Sequence, residues 1–335
     1  MHASLTLVFI TIGFALFFDF LNGFHDAANS IATIVSTRVL KPHWAVLWAA
    51  FFNFIAFLFF GLSVATTIGT GLIDPAVIDE QMLFAALSGA ILWNIITWLF
   101  GLPSSSSHAL IGGLLGAGIA KAGFAPLKLA GITKVMLAIV ISPLLGMVMG
   151  LLLMFVTVRI FFYATPHKVD VWFRKLQFIS SAFISLGHGG NDAQKTMGII
   201  AILLFSSHLI GDTFYVPFWV VVACNLVMAL GTCFGGWRIV KTMGMKITKL
   251  KPVSGFCAET ASAVTLFIAT ILGIPVSTTH TITGAIVGVG SLNRFSAVRW
   301  GIARRIVWAW ILTIPAAGAV AALAWHLVRL WQLRY

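Results

Sequence analysis

The sequence predicts an all-α polytopic membrane protein made of two inverted-topology repeats with broken or re-entrant half-helices. Three observations carry this expectation: the composition, the recurrence of apolar segments long enough to cross a bilayer, and a pair of motifs that each occur twice. Of the 335 residues, 60% are hydrophobic and only 9% charged, and the mean hydropathy is +1.02, which no soluble domain of this size matches.

Taken in order, apolar stretches of the roughly 20 residues needed to span the hydrocarbon fall at about 5–35, 44–68, 82–100, 104–120, 133–164, 176–207, 215–236, 256–272, 276–293 and 306–333. These make about 10 segments. The first, fifth and sixth are long enough to be broken or doubled, giving 10–12 membrane elements. The longest polar linkers lie near 165–175 and 237–254, so residues 1–335 read as a single integral membrane domain. The first segment has no basic leader region and no small-residue cleavage site ahead of it, and reads as a span, not a removed signal peptide. Cys224, Cys233 and Cys257 lie in or beside apolar segments without ligand spacing, which argues against a disulfide framework or a thiolate metal site; no resident metal is expected.

The net charge of +12 does not point to nucleic acid, because the basic residues sit in short loops: Arg38 and Lys41; Lys168, Arg174 and Lys175; Arg238 to Lys251; Arg294 to Arg305. That pattern assigns those loops to the cytoplasm. The 69–81 loop, with Asp74, Asp79 and Glu80, and the 208–214 loop, with Asp212, face outward.

An internal repeat follows from the motifs. Gly101-Leu-Pro-Ser-Ser-Ser-Ser-His108 matches Gly273-Ile-Pro-Val-Ser-Thr-Thr-His280, and the register continues through Gly112/Gly284, Gly116/Gly288 and Gly118/Gly290. Asn53 and Asn225 share the same offset. A second pair, Gly23-Phe-His-Asp26-Ala-Ala-Asn29 and Gly189-Gly-Asn-Asp192-Ala-Gln-Lys195, places Asp26 opposite Asp192. Repeat 1 covers about 1–165 and repeat 2 about 176–335. Loops that are basic after one element and acidic or neutral after its counterpart imply that the repeats are inverted, although both repeats are basic near their ends.

Inverted repeats place a site near the midplane, where broken helices aim their termini at it. Pro103 and Pro275 suit helix starts, and the hydroxyls Ser104, Ser105, Ser106 and Ser107, with Ser277, Thr278 and Thr279, would join unpaired backbone N–H groups in binding an anion. The competing reading is that these hydroxyls only cap helices or help them pack. His108 and His280, and His25 beside Asp26, are candidates for proton or substrate contact. Two intramembrane aspartates are too costly to be incidental. Next to an anion they need a cation, so Asp26 and Asp192 are expected to couple proton or sodium entry to the anion, assisted by Asn29 and Asn191. Lys195 either attracts the anion or pairs with Asp192 one turn away. Glu259 is a third intramembrane acid; its counterpart is Leu87. Asp19, opposite Ser185, is a weaker candidate.

At these residues the chain resembles the inorganic phosphate transporter (PiT) family. The signature blocks run from Asn22 to Ala32 and from His188 to Met197, with the two Pro-x-Ser/Thr-Ser/Thr-Ser/Thr-His runs, and together they span essentially the whole chain. Gly23-Phe24-His25-Asp26 looks like the bacterial low-affinity branch, and Asn53 stands where sodium-coupled animal members resemble one another in carrying Glu. The resemblance implies a secondary transporter importing inorganic phosphate by alternating access. It also implies a homodimer in the bacterial inner membrane, coupled to H+ or Na+, with phosphate possible as a complex with Mg2+ or another divalent ion. It assigns cation coupling to Asp26, Asp192 and Glu259, and anion binding to the hydroxyl runs. Protons are the favoured coupling ion, and the large hydrophilic insertion of many relatives between the halves is absent. A sodium-coupled symporter and a sulfate permease remain as alternatives. A channel would need a distributed polar lining, and an enzyme would need a metal-type cluster or a nucleophile and base at fixed spacing; neither pattern occurs.

Overall fold

The computed structural model describes residues 5–332, and these form twelve α-helices with short 3₁₀ and π turns. They are α1 (Leu5–Ser36), α2 (Pro42–Ile55), α3 (Ser63–Thr70), α4 (Glu80–Leu99), α5 (Ser106–Ala122) and α6 (Leu129–Ile160), followed by α7 (Pro166–Ser206), α8 (Phe218–Phe234), α9 (Trp237–Lys241), α10 (Pro252–Ile271), α11 (Thr278–Asn293) and α12 (Trp300–Gln332). Five of them, α1, α4, α6, α10 and α12, are long and apolar enough to cross a membrane, or up to seven spans if each bent helix pair counts as one. The 41-residue α7 falls outside that set because its middle carries His188, Asn191, Asp192, Gln194 and Lys195. With 17 and 16 residues, α5 and α11 reach only about 25 Å.

Helix breaks fall at the two hydroxyl motifs, between α4 and α5 and between α10 and α11, as expected, but not inside the three long segments. The first, fifth and sixth segments are continuous helices. The bends of 82° and 61° fall instead between α2 and α3 and between α8 and α9. Glycine explains part of the difference. Gly23 and Gly189 sit where helices touch: a Cβ on Gly23 would lie 2.0 Å from the Met228 carbonyl oxygen, and one on Gly189 would lie 2.5 Å from that of Asn53. Their role is close approach, and the helices run on through them. The expected linkers at 165–175 and 237–254 are also largely helical. α7 starts at Pro166, with Thr165 as N-cap, and α9 continues into a π turn over Thr242–Lys246.

Two hairpins build the centre. α4 turns into α5, and α10 into α11, through Gly101 (φ +62°) and Gly273 (φ +63°), a left-handed conformation that glycine adopts without steric cost. Pro103 and Pro275, expected from sequence at the helix starts, lie ahead of the helices and do not open them. Ser105 and Ser277 take the N-cap positions, accepting hydrogen bonds from the backbone N–H of His108 and His280 at 3.2 Å, so both helices begin after the prolines.

Each of these short helices packs against two others: α5 on α4 and α12, α11 on α10 and α6. Small residues set the distance. A Cβ at Gly112 or Gly116 would strike the backbone of Ile314 or Gly318, and one at Gly284 or Gly288 that of Pro143 or Met147. Pro143 and Pro315 occupy corresponding interior positions of α6 and α12. The outer faces of α6 and α12 expose Leu137, Val140, Leu144, Val307 and Ile311, as lipid-facing helices do. Helices α1 and α7 pack against each other in the middle, and the polar residues gather between them.

Candidate functional site

Four helix segments converge on the site: the middle of α1, the middle of α7, and the first turns of α5 and α11. On α1, Asn22, Asp26 and Asn29 recur at helical spacing and share one face; on α7, His188, Asp192 and Lys195 do the same. The carboxylates of Asp26 and Asp192 and a His188 ring nitrogen lie within 4.8 Å of one another. Asp26, Asp192 and the hydroxyls Ser104 to Ser107 and Ser277 to Thr279 are all at most 2% exposed, so the site is closed on all sides.

The two hydroxyl turns contact the two aspartates in matching fashion. Ser106 Oγ donates to Asp26 Oδ2 at 2.6 Å, and Thr278 Oγ1 donates to Asp192 Oδ2 at 2.9 Å. Ser106 also lies 2.5 Å from Asn22 Oδ1, and Thr279 Oγ1 is 3.4 Å from Asp26 Oδ1. Asn29 reaches across to the other turn, its Nδ2 donating to Thr278 Oγ1 at 2.9 Å and Thr279 Oγ1 at 3.0 Å, while its Oδ1 is buried without a hydrogen-bond partner. Lys195 Nζ donates to Ser107 Oγ, to Asp192 Oδ1 and, at 2.8 Å, to the Val276 carbonyl.

Other expected residues lie around this centre. His25 bonds Asp26 through Nδ1 at 2.7 Å and Thr97 through Nε2 at 3.1 Å, and Thr97 in turn accepts from Ser104 at 2.9 Å. Asn191 turns away, its Nδ2 donating to Thr270 and to the Ile274 carbonyl. His108 and His280 do not reach the aspartates. Their rings meet edge to face with centroids 4.5 Å apart, and His280 stacks on Trp310 at 3.8 Å. Glu259 is equally separate: Thr33 and Ser180 donate to its two oxygens, and Gln177 donates at 3.0 Å. Thr33 is two helical turns beyond Asp26, which puts this acid about 10 Å along the α1–α7 seam. Asp19, two turns to the other side, accepts from Thr196 at 2.9 Å and has an unpartnered Oδ2.

Sequence reading overlooked His188, which stands 3.2 Å from Asp192 and 3.3 Å from Asn53. The repeat register was the available signal: at the offset relating Asp26 to Asp192, His188 is the counterpart of Asn22. Asp26, His188 and Asp192 form a three-donor cluster from two helices far apart in sequence, a grouping that residue spacing does not reveal. Carboxylate and imidazole donors suit a small cation.

The profile of the phosphate transporter family matches residues 22–321. The chain belongs to that family. It is 67% identical, over 94% of each chain, to a probable low-affinity inorganic phosphate transporter of Rhizobium meliloti (strain 1021). It is 43% identical, over 98% of this chain and 99% of the relative, to a protein of the same description from Bacillus subtilis (strain 168). Among solved structures, one described as the sodium-dependent phosphate transporter superposes with a TM-score of 0.89 at 25% identity, covering 97% of this chain and 99% of that one. This phosphate transporter is therefore a multi-pass cell-membrane protein and not an enzyme.

Proposed function

We propose that this family member is a symporter that imports inorganic phosphate by alternating access, with coupling seated in the competition for its hydroxyl groups. The observation that carries the reading is the pairing of Ser106 with Asp26 and of Thr278 with Asp192. A hydroxyl has one proton to donate. While Asp26 is bare, Ser106 spends that proton on it and cannot offer it to an anion, whereas Asp192, which holds Thr278, already carries the Lys195 ammonium. A cation on Asp26 weakens the claim on Ser106, and that hydroxyl, with the N–H groups of the first turns of α5 and α11, can turn to phosphate. Anion and cation thus bind together, which is what symport requires.

The coupling ion is the proton in this reading. Asn53, hydrogen-bonded to Thr232 at 3.0 Å, supplies no carboxylate, and Lys195 already neutralises one of the two aspartates. The complete burial of the site supports alternating access, since phosphate can reach it only if helices move. The matching hairpins and reciprocal packing support inverted repeats at about 1–165 and 176–335. The homodimer and carriage of a divalent metal–phosphate complex belong to the same proposal.

Labelled phosphate uptake into proteoliposomes, with proton gradient, sodium gradient and magnesium varied independently, tests it. Uptake driven by a proton gradient in sodium-free buffer is expected. Uptake that needs sodium and ignores the proton gradient would replace the coupling ion, and sulfate competing equally with phosphate across pH would replace the substrate.

A further inference from the structure

The two aspartates are matched in their hydroxyl partners but not in what lies one turn further along the helix. At the offset relating Asp26 to Asp192, Asn29 corresponds to Lys195. Thr279 touches Asn29 where Ser107 touches Lys195, and these two hydroxyls are themselves counterparts. The ammonium of Lys195 is held by a carboxylate oxygen, a hydroxyl oxygen and a main-chain carbonyl oxygen, the hard-oxygen set that would otherwise surround a small monovalent cation. On the other side, the same place in the arrangement holds the neutral amide of Asn29, a residue 1% exposed, whose Oδ1 is buried and unpartnered. An amide oxygen can be a cation ligand, whereas an ammonium can only be the cation.

We infer that Lys195 is a tethered cation: its ammonium permanently fills one of two symmetry-related cation positions, so that only the position beside Asp26 and Asn29 takes a mobile ion. An ammonium has three donors, and Asp192, Ser107 and Val276 use all three, which leaves none for phosphate. Lys195 therefore positions Asp192 and sets the number and kind of coupling ions without touching the anion. This rests on the reading that the aspartate pair is loaded with cations.

The symmetry itself names the test. Lys195→Asn gives the second position the residue already present at the first, and Lys195→Gln is a second variant that removes the charge while keeping more of the stem. Purified wild type and both variants are reconstituted, and initial phosphate uptake is measured in sodium chloride against choline chloride at fixed proton gradient and membrane potential. Wild type is expected to differ by less than about twofold between the salts, and the variants to be stimulated about tenfold or more by sodium, a shift of about 1.4 kcal/mol or more. Sodium should also raise the thermal midpoint of the purified variants, since a ligand that binds only the native state stabilises it, and leave that of wild type unmoved. Variants whose uptake and melting are the same in both salts, whether as active as wild type or inactive, overturn the inference while phosphate transport by wild type stands. A wild type that takes up no phosphate overturns the underlying reading instead. A wild type driven by sodium overturns proton coupling alone, and the tethered charge then requires the variants' sodium dependence to steepen by one ion.

Discussion

Asp26, Asp192 and Asp19 are three buried acids on one seam, and their partners separate them. Asp192 faces Lys195, so Asp192→Asn strands a buried ammonium, and breaking such a pair costs about 3–5 kcal/mol. Asp26 faces no Lys or Arg among its hydrogen-bond partners, and Asp26→Asn is expected to abolish accumulation while leaving thermal unfolding in detergent close to wild type. Asp192→Asn should both abolish accumulation and lower the unfolding midpoint, and Asp192→Asn combined with Lys195→Met should recover the midpoint but not the transport. Full uptake by either single aspartate variant would remove the carboxylates from the mechanism. Ser106→Ala and Thr278→Val each delete one donor that phosphate would use. A lost hydrogen bond to a charged group is worth about 1.5–3 kcal/mol, so phosphate affinity read from concentration-dependent uptake should fall by roughly 10–100-fold, with Ser105→Ala, on the cap, affecting stability more than affinity.

At the scale of elements, the motifs and the breaks at the two hydroxyl runs were legible because each repeats, and the bends after α2 and α8 were not. The aspartates, hydroxyl runs and paired prolines could be read from residue identity and spacing. Whether a glycine breaks a helix or seats it on a neighbour depends on what lies opposite, as at Gly23 and Gly189, and no local pattern carries that information. The same limit hid His188, whose neighbours Asp26 and Asn53 are supplied by other helices, and the contact of His108 with His280 across the two hairpins. The glycine seams give a direct prediction. Gly116→Leu and Gly288→Leu force a side chain into the backbones of Gly318 and Met147, and overpacking of about 1–3 kcal/mol should appear as a lower unfolding midpoint for both. Gly123→Ala, where no atom lies within 4 Å, is strained only through its positive φ and should cost less.

For the whole molecule, Glu259 lies off the central pair yet is fully buried and held by three donors from α1 and α7. These two helices also carry Asp26 and Asp192. Glu259→Gln reverses one of those hydrogen bonds, and net uptake is expected to fall about tenfold, equivalent to about 1.4 kcal/mol, while phosphate–phosphate exchange, which needs no return of the unloaded carrier, is affected less. Equal loss of both in proteoliposomes would reduce Glu259 to a packing role. The packing of α5 on α12, and of α11 on α6, has a further consequence for how the protein is made. α5 enters the membrane long before its seat on α12 exists; at about 5–20 residues per second the delay is on the order of ten seconds or more. During that interval the glycine face of Gly112 and Gly116 lacks the backbone of Ile314 and Gly318 that covers it in the finished protein, so a nascent chain arrested before Trp300 should be cut by protease near residues 112–123, where the finished protein resists.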